Sequence, residues 1–292
     1  MKNVLLALGY AFCWGIGVTL TKMALSGIAP TPLLITQLSS GVLFLLIVCY
    51  VQGEKLPVSW PLLKKGYAGV FEPALAYMVG IFGIRMTTAS SATLIGASEV
   101  ILTILFAAIF LSEKLSHVKL SLAAISFGGL WLLMLGDMGD TRESSFAGDL
   151  LVLLGVVFAV LYTLISKKQV ATISPQQLAA SQQLVGLIVT VTCFGVLSFV
   201  FQGFEISFHN ISPGYWLLAI GSGIIQYALA FLLYLIALKN IPVSRAAFYI
   251  ALIPVFGVAS AVVMIGEQPG TMQWVGGLLI VGSSYFANRL SV

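Results

Sequence analysis

The chain has 292 residues, of which 59% are hydrophobic and only 8% charged, with a net charge of +4. Soluble domains carry about 25% charged residues, so this chain cannot cover itself with a polar surface and a lipid bilayer is its expected solvent. The small positive charge forms no basic patch outside the segment ends, so no nucleic-acid partner is expected.

A helix crossing a bilayer needs about 20 mostly apolar residues. In chain order ten segments qualify: 4–21, 33–51, 66–84, 88–111, 119–136, 150–166, 178–201, 215–238, 241–264 and 272–287. They predict an all-α integral membrane protein with ten transmembrane helices. The first follows Lys2 as a signal peptide would. It is long for a signal core and no small-residue cleavage site follows, so it reads as a retained helix. Cys13, Cys49 and Cys193 lie singly in apolar segments without a CxxC pair, which predicts neither a disulfide nor a metal site. The spans are rich in Gly and Ala, which let helix backbones approach closely. The connector 137–149, "DMGDTRESSFAGD", holds every Asp of the protein. It separates a first unit, 1–136, from a second, 150–292.

Lys and Arg set the orientation. With the N-terminus in the cytoplasm, Lys2, Lys55, Lys64, Lys65, Lys114, Lys119, Lys167, Lys168, Lys239, Arg245 and Arg289 fall inside, and only Lys22, Arg85 and Arg142 fall outside. Both termini are therefore expected in the cytoplasm.

The second unit repeats the first. At a shift of 154 residues "FEPALAYMVGIFGIRMTTAS" (71–90) lies on "IQYALAFLLYLIALKNIPVS" (225–244), with Ala74, Leu75, Ala76 and Ser90 meeting Ala228, Leu229, Ala230 and Ser244. The same shift sets Glu113 on Glu267. Near the start of each unit a shift of 145 sets "IAPTPLLITQL" on "ISPQQLAASQQL", so that Pro30, Leu33, Gln37 and Gly41 meet Pro175, Leu178, Gln182 and Gly186. Five spans per unit put the second on the opposite side of the membrane. Inverted repeats are the usual construction of secondary transporters, with the substrate site near the midplane between the repeats.

Ten spans in two inverted halves resemble the drug/metabolite transporter superfamily, in particular its EamA-like carriers. The resemblance rests on "AFCWGIGVTLTK" in the first span and on the ends of the fourth and ninth, "ASEVILTILFAAIFLSEKLS" and "ALIPVFGVASAVVMIGEQPG". Pro254 with Glu267 fits the family pattern; in the first half Val100 replaces the proline. The resemblance implies an alternating-access exporter of small polar metabolites, such as amino acids or their amine-bearing derivatives, in the cytoplasmic (inner) membrane of a bacterium. It leaves the substrate open, together with the alternatives of a multidrug or organic-cation efflux carrier and of a passive channel or facilitator. Neither a cofactor nor a metal is implied, and a monomer and a homodimer both fit.

Charges at bilayer depth cost roughly 2.5–3.5 kcal/mol on insertion scales, yet Glu72 and Glu99 sit within spans. Glu99 shares a helical face with Ser91, Ile95 and Thr103, and Ser98 adjoins it. This suits a wet cavity, and the competing reading is a structural acid bonded between helices. Glu72 lies with Gly69, Ala76, Gly80 and Gly83 on one face, and its repeat mate is Gln226. The competing reading there is close helix packing, with Glu72 capping backbone opened by Pro73. Trp14, Tyr77, Tyr162, Tyr227, Tyr234 and Tyr249 are candidate lining residues, since these rings offer an apolar face and one polar handle; interfacial belts use the same residues. Spans one, three, four, six, eight and nine are expected to surround the site. Protons are the candidate coupling ion through Glu72 or Glu99. Glu113 and Glu267 read as structural acids that hold the turn after their helix. An intramembrane enzyme is disfavoured, because His117 and His209 lie in connectors and no HExxH, intramembrane Asp pair or phosphate loop is present.

Overall fold

The computed structural model describes residues 2–57, 59–86, 89–114, 116–135, 145–200, 207–209, 211–266 and 268–289. Expectations for Glu267, Arg142 and most of the 137–149 connector lie outside the described residues, as do the side chains of Arg85 and Ser91. All regular structure among the described residues is helical. The first unit holds α1 (Lys2–Ala24), α2 (Pro30–Val51), α3 (Trp60–Lys65), α4 (Ala76–Met86), α5 (Ala89–Leu111) and α6 (His117–Leu135). The second holds α7 (Phe146–Gln169), α8 (Pro175–Val200), α9 (Pro213–Ser222), α10 (Ala230–Asn240), α11 (Val243–Ile250), α12 (Ile253–Ile265) and α13 (Thr271–Arg289).

By length and apolar content, six helical stretches among the described residues can each cross a membrane: Lys2–Ala24, Pro30–Val51, Phe146–Gln169, Pro175–Val200, Pro213–Asn240 and Val243–Ile265. Ser98–Leu111 and His117–Leu132 are shorter apolar helices. The expected spans 66–84 and 272–287 are helical but more polar: the first carries Glu72, and α13 carries Gln273, Ser283 and Ser284. The outward surface is apolar to a degree that water would not tolerate, with Phe199 91% and Val263 84% exposed.

Local chemistry places the helix ends. Proline occupies the first turn of α2 and α9, where its missing N–H costs nothing. Ser145 caps α7 by accepting from Gly148 N, and Gly266 ends α12 in the left-handed conformation that suits glycine (φ 75°). Two stretches depart from α geometry. Between α3 and α4 the chain passes through a 3-10 turn, Tyr67–Val70, and a π turn, Phe71–Leu75. Between α9 and α10 runs a second π turn, Gly223–Leu229.

At the centre α1 packs against α10 and α12. Aromatic rings fill that junction edge to face: Tyr10 on Tyr234 at 5.0 Å, Trp14 on Phe231 at 5.1 Å and Trp14 on Tyr234 at 5.4 Å. The Tyr10 hydroxyl donates to the Ala246 carbonyl on α11 at 2.8 Å.

At one end of the molecule the two units are tied by charge. The Glu113 carboxylate, just past α5, accepts from Val243 N at 2.6 Å and Ser244 N at 3.0 Å. These are the first residues of α11, whose N-cap Pro242 supplies no side-chain cap. Glu113 thus does more than hold its own turn: it caps a helix of the other unit. Beside it Lys167 Nζ donates to the carbonyls of Leu238 (2.6 Å) and Ile241 (2.8 Å) at the end of α10.

Close backbone approach explains one glycine. A Cβ on Gly223 would overlap Ser40 Oγ and the Gln37 carbonyl on α2. Gly223→Ala should lower the melting temperature in detergent, at a cost of about 1–3 kcal/mol for overpacking. Gly221→Ala faces open space and should be neutral or slightly stabilising, since alanine is favoured in a helix by about 0.5–1 kcal/mol. Equal melting of the two variants would contradict this packing.

Candidate functional site

Proline has no N–H and its ring clashes with the preceding turn, so Pro73 prevents a continuous helix from Trp60 to Met86. The break falls on Glu72, whose backbone is extended (φ −144°, ψ 127°) inside an otherwise helical run. The chain thereby turns the Glu72 side chain into the interior. The widened turn Gly223–Leu229 presents Gln226, which the 154-residue shift of the sequence aligns with Glu72.

Both face one cavity of about 210 Å3. Its lining comes from Trp14 and Val18 on α1, Glu72 and Tyr77 around the break and Glu99 on α5, and from Thr163, Gln226, Tyr234, Ile250 and Ile253 on the second unit. Two further spaces adjoin these residues. One of about 330 Å3 lies between Glu72, Tyr77, Gly80, Gly96, Glu99 and the α7 face of Val152, Gly155, Val156 and Ala159. The other, about 260 Å3, runs from Glu99 past Val100 and Leu130 to Ala251 and Pro254. Glu99 borders all three spaces and Glu72 borders two.

Among the described residues neither carboxylate receives a hydrogen bond or an ion pair. Ser98, beside Glu99, donates back to the Ile95 carbonyl of its own helix, and the buried Thr103 hydroxyl has no partner. Some neighbouring side chains pair with one another. Tyr234 and Thr163 share a hydrogen bond of 2.7 Å, and Tyr77 packs on Tyr227 at 5.2 Å. Trp14 is an exception: it is 8% exposed and its indole N–H has no acceptor.

Of the residues singled out from sequence, Trp14, Glu72, Tyr77, Glu99, Gln226 and Tyr234 meet at this cavity. Tyr162, Tyr227 and Tyr249 are buried outside its lining. The Tyr162 hydroxyl donates to Gln182 Oε1 at 3.0 Å, and Tyr227 stacks behind Tyr77 on Phe231. Sequence reasoning missed Thr163 and Val18. Thr163 follows the singled-out Tyr162, and Val18 lies one turn after Trp14, so helical spacing from known candidates could have found the latter. Among the described residues no group of three His, Cys, Asp or Glu could hold a metal ion.

Such a site can take a cation. Two carboxylates face it with no countercharge among the described residues, and Trp14, Tyr77 and Tyr234 line it. A bundle of membrane-crossing helices enclosing a polar space at its core is the architecture of a solute carrier. Residues 1–135 and 146–289 match the EamA-like transporter family, and the chain belongs to that family, within the drug/metabolite transporters.

Relatives carry the same class of name. The chain is 23% identical over 285 residues to an uncharacterized transporter of Archaeoglobus fulgidus, covering 96% of each. It is 25% identical over 186 residues to the uncharacterized transporter YxxF of Bacillus subtilis (strain 168), covering 62% of this chain and 55% of that one. It is 20% identical over 217 residues to the uncharacterized transporter sll1164 of Synechocystis, covering 61% of that protein. The chain thus spans only about half of the length of the Bacillus relative. A solved crystal structure superposes over 99% of both chains with a TM-score of 0.83 at 20% identity, which is a likeness of fold.

A water-filled cavity can be tested without knowing the cargo. A Cβ on Gly96 meets open space, as does one on Gly195, which faces outward from α8. With Cys13, Cys49 and Cys193 replaced by Ser, Gly96→Cys should react with a small charged thiol reagent at least about tenfold faster than Gly195→Cys, because the thiolate needs water. Equal rates would mean that the space beside Glu99 is dry.

Proposed function

We propose that this protein is a secondary transporter that exports small, amine-bearing polar metabolites across a bacterial cytoplasmic membrane by alternating access, with protons coupled through Glu99 or Glu72. The observation that carries the proposal is the pair of unpartnered carboxylates on one cavity lined by both units. A structural acid would be bonded; a working acid must be free to exchange a cation for a proton.

The inverted repeat of ten spans supplies the means. It is supported by the family match in two separate stretches and by the two π turns, which lie at matched positions. A packing detail supports it as well. Gly69 is seated on the Gln182 carbonyl and its repeat mate Gly223 on the Gln37 carbonyl, the repeat mate of Gln182. Two units built alike can trade their tilts, opening the cavity first to one side and then to the other. The charge distribution places both termini in the cytoplasm. One chain supplies the whole lining, so a monomer can complete the cycle.

Glu99→Gln tests the coupling role. It keeps size and most hydrogen-bonding capacity and removes the charge. The variant should insert and melt at or above wild type, because it removes a desolvation cost. Transport of an amine in proteoliposomes should fall at least about tenfold, roughly 1.4 kcal/mol in the barrier, and the pH dependence should flatten. Normal transport with an unchanged pH profile would make Glu99 structural and leave Glu72 as the coupling acid. Trans-stimulation of uptake separates a carrier from a channel. Orientation has its own check: in the cysteine-free background Ser145→Cys should react with an impermeant reagent in intact cells, and Ser116→Cys only after lysis.

A further inference from the structure

One polar group of the cavity has its orientation fixed by hydrogen bonds whose protons can be followed singly. Ser222 Oγ donates to the Ala219 carbonyl at 3.0 Å, which uses its only proton. Gln37 Nε2, 2.9 Å from the same oxygen, must then be the donor to it. Gln37 Nε2 also donates to Thr21 Oγ1 at 2.7 Å, and Thr21 in turn gives its proton to Gln226 Oε1 at 3.0 Å. Reversing the Gln37 amide would require both hydroxyls to abandon the acceptors they now serve. Gln37, Ser222 and Gln226 are all buried, and Thr21 between them is partly buried. A Cβ on Gly17 would stand 2.5 Å from Gln226 Cβ and 3.1 Å from its Oε1, so α1 also grips this side chain sterically.

With Oε1 committed to Thr21, Gln226 turns Nε2 to the cavity. Tyr77 lines the same space, and its single hydroxyl oxygen can occupy at most one of the two N–H groups. Trp14 lines the same space, but its indole nitrogen is buried away from it and has no acceptor. The cavity therefore has two needs: among the described residues the carboxylates Glu72 and Glu99 lack a cation, and the Gln226 amide keeps an N–H for an acceptor.

Building on the transport reading, we infer that the Gln226 amide N–H forms an acceptor-reading pole of the cargo site, with Thr21 and Gln37 as positioning residues. The preferred cargo carries an ammonium group for the carboxylates and, a few bonds away, a carboxylate or carbonyl oxygen for the Gln226 donor. A plain amine satisfies only half of the site. The repeat mates of the relay do something else. Gln182 Nε2 donates to Ser166 Oγ at 2.9 Å and Gln169 Oε1 at 3.1 Å, so that half closes its hydrogen bonds on itself and leaves Glu72 unheld.

Three probes with one apolar part separate the possibilities: leucine, leucinamide and isopentylamine, which carry a carboxylate, a neutral carbonyl and no acceptor beside the amine. Binding to purified full-length protein in nanodiscs and uptake into proteoliposomes are measured for each. Wild type should bind leucinamide or leucine at least about tenfold tighter than isopentylamine, as a site built for a polar group rejects an analogue lacking it. Thr21→Val should weaken leucinamide at least about fivefold more than isopentylamine, through KM rather than kcat, and Thr21→Ser, which keeps the relay, should restore the preference. A merely structural Thr21 would weaken the probes alike, and that result overturns the inference. If Thr21→Val does not fold, Gln37→Met breaks the same relay one step earlier, and the wild-type comparison decides by itself. Equal binding of all three probes, still dependent on Glu99, would remove the acceptor pole and leave the transport reading standing. Neither binding nor uptake of any probe by folded wild type would remove both.

Discussion

Hydrocarbon offers no partner to a buried N–H, hydroxyl or amide, so each polar group in these helices must be answered by another or by water in a cavity. Most are answered in pairs: Thr19 with Ser260, Thr163 with Tyr234, Ser284 with the Phe248 carbonyl. These bonds join helices that are distant in sequence and fix which faces of the bundle meet. At Glu72 and Glu99 no partner is found among the described residues and the structure has space, whereas the unpartnered atoms of Thr103, Ser126, Gln183 and Thr190 are buried in residues outside that cavity's lining.

The broken helices follow from the same requirement. Irregular backbone at membrane depth is tolerated only where protein or a cavity surrounds it. The turns Phe71–Leu75 and Gly223–Leu229 both lie against helices of the opposite unit, the first on α8 and the second on α2. Their shared placement and different side chains give two similar frames with dissimilar contents, a carboxylate in one and an anchored amide in the other. A cargo that met identical poles could be bound in two equal orientations; unlike poles impose one.

Much of the fold was legible because a membrane compresses the choices. Apolar runs of about 20 residues announce helices, and the matched "ALA" stretches at 74–76 and 228–230 are the sequence basis of the proposed repeat. The carboxylates were legible for a related reason: Glu72 and Glu99 are conspicuous in spans that are otherwise nearly uncharged. The interior break at Glu72 was only half legible, since Pro73 signals an opened backbone but not the direction in which the preceding side chain will point. The relay through Thr21 and Gln37 was not legible. Thr21 lies 16 positions from Gln37 and 205 from Gln226, and only the approach of α1, α2 and the Gly223–Leu229 turn brings them together. Tyrosines were misleading guides, because burial in an aromatic core and contact with a cavity ask for the same residue; Tyr162 and Tyr234 differ in surroundings rather than in sequence context.

The tie between Glu113 and the start of α11 has a kinetic meaning. A carboxylate seated on two backbone N–H groups is a charged clasp, and Glu113 is only partly buried. If the two units alternate and the clasp parts, the first N–H groups of α11 are exposed to the solution at that end of the molecule and to whatever anions it holds. Dissolved ions screen the clasp, whereas the interior carboxylates, shielded by protein, feel them far less. Under the transport reading, salt would therefore act on the clasp at the molecule's end more than on the carboxylates of the interior.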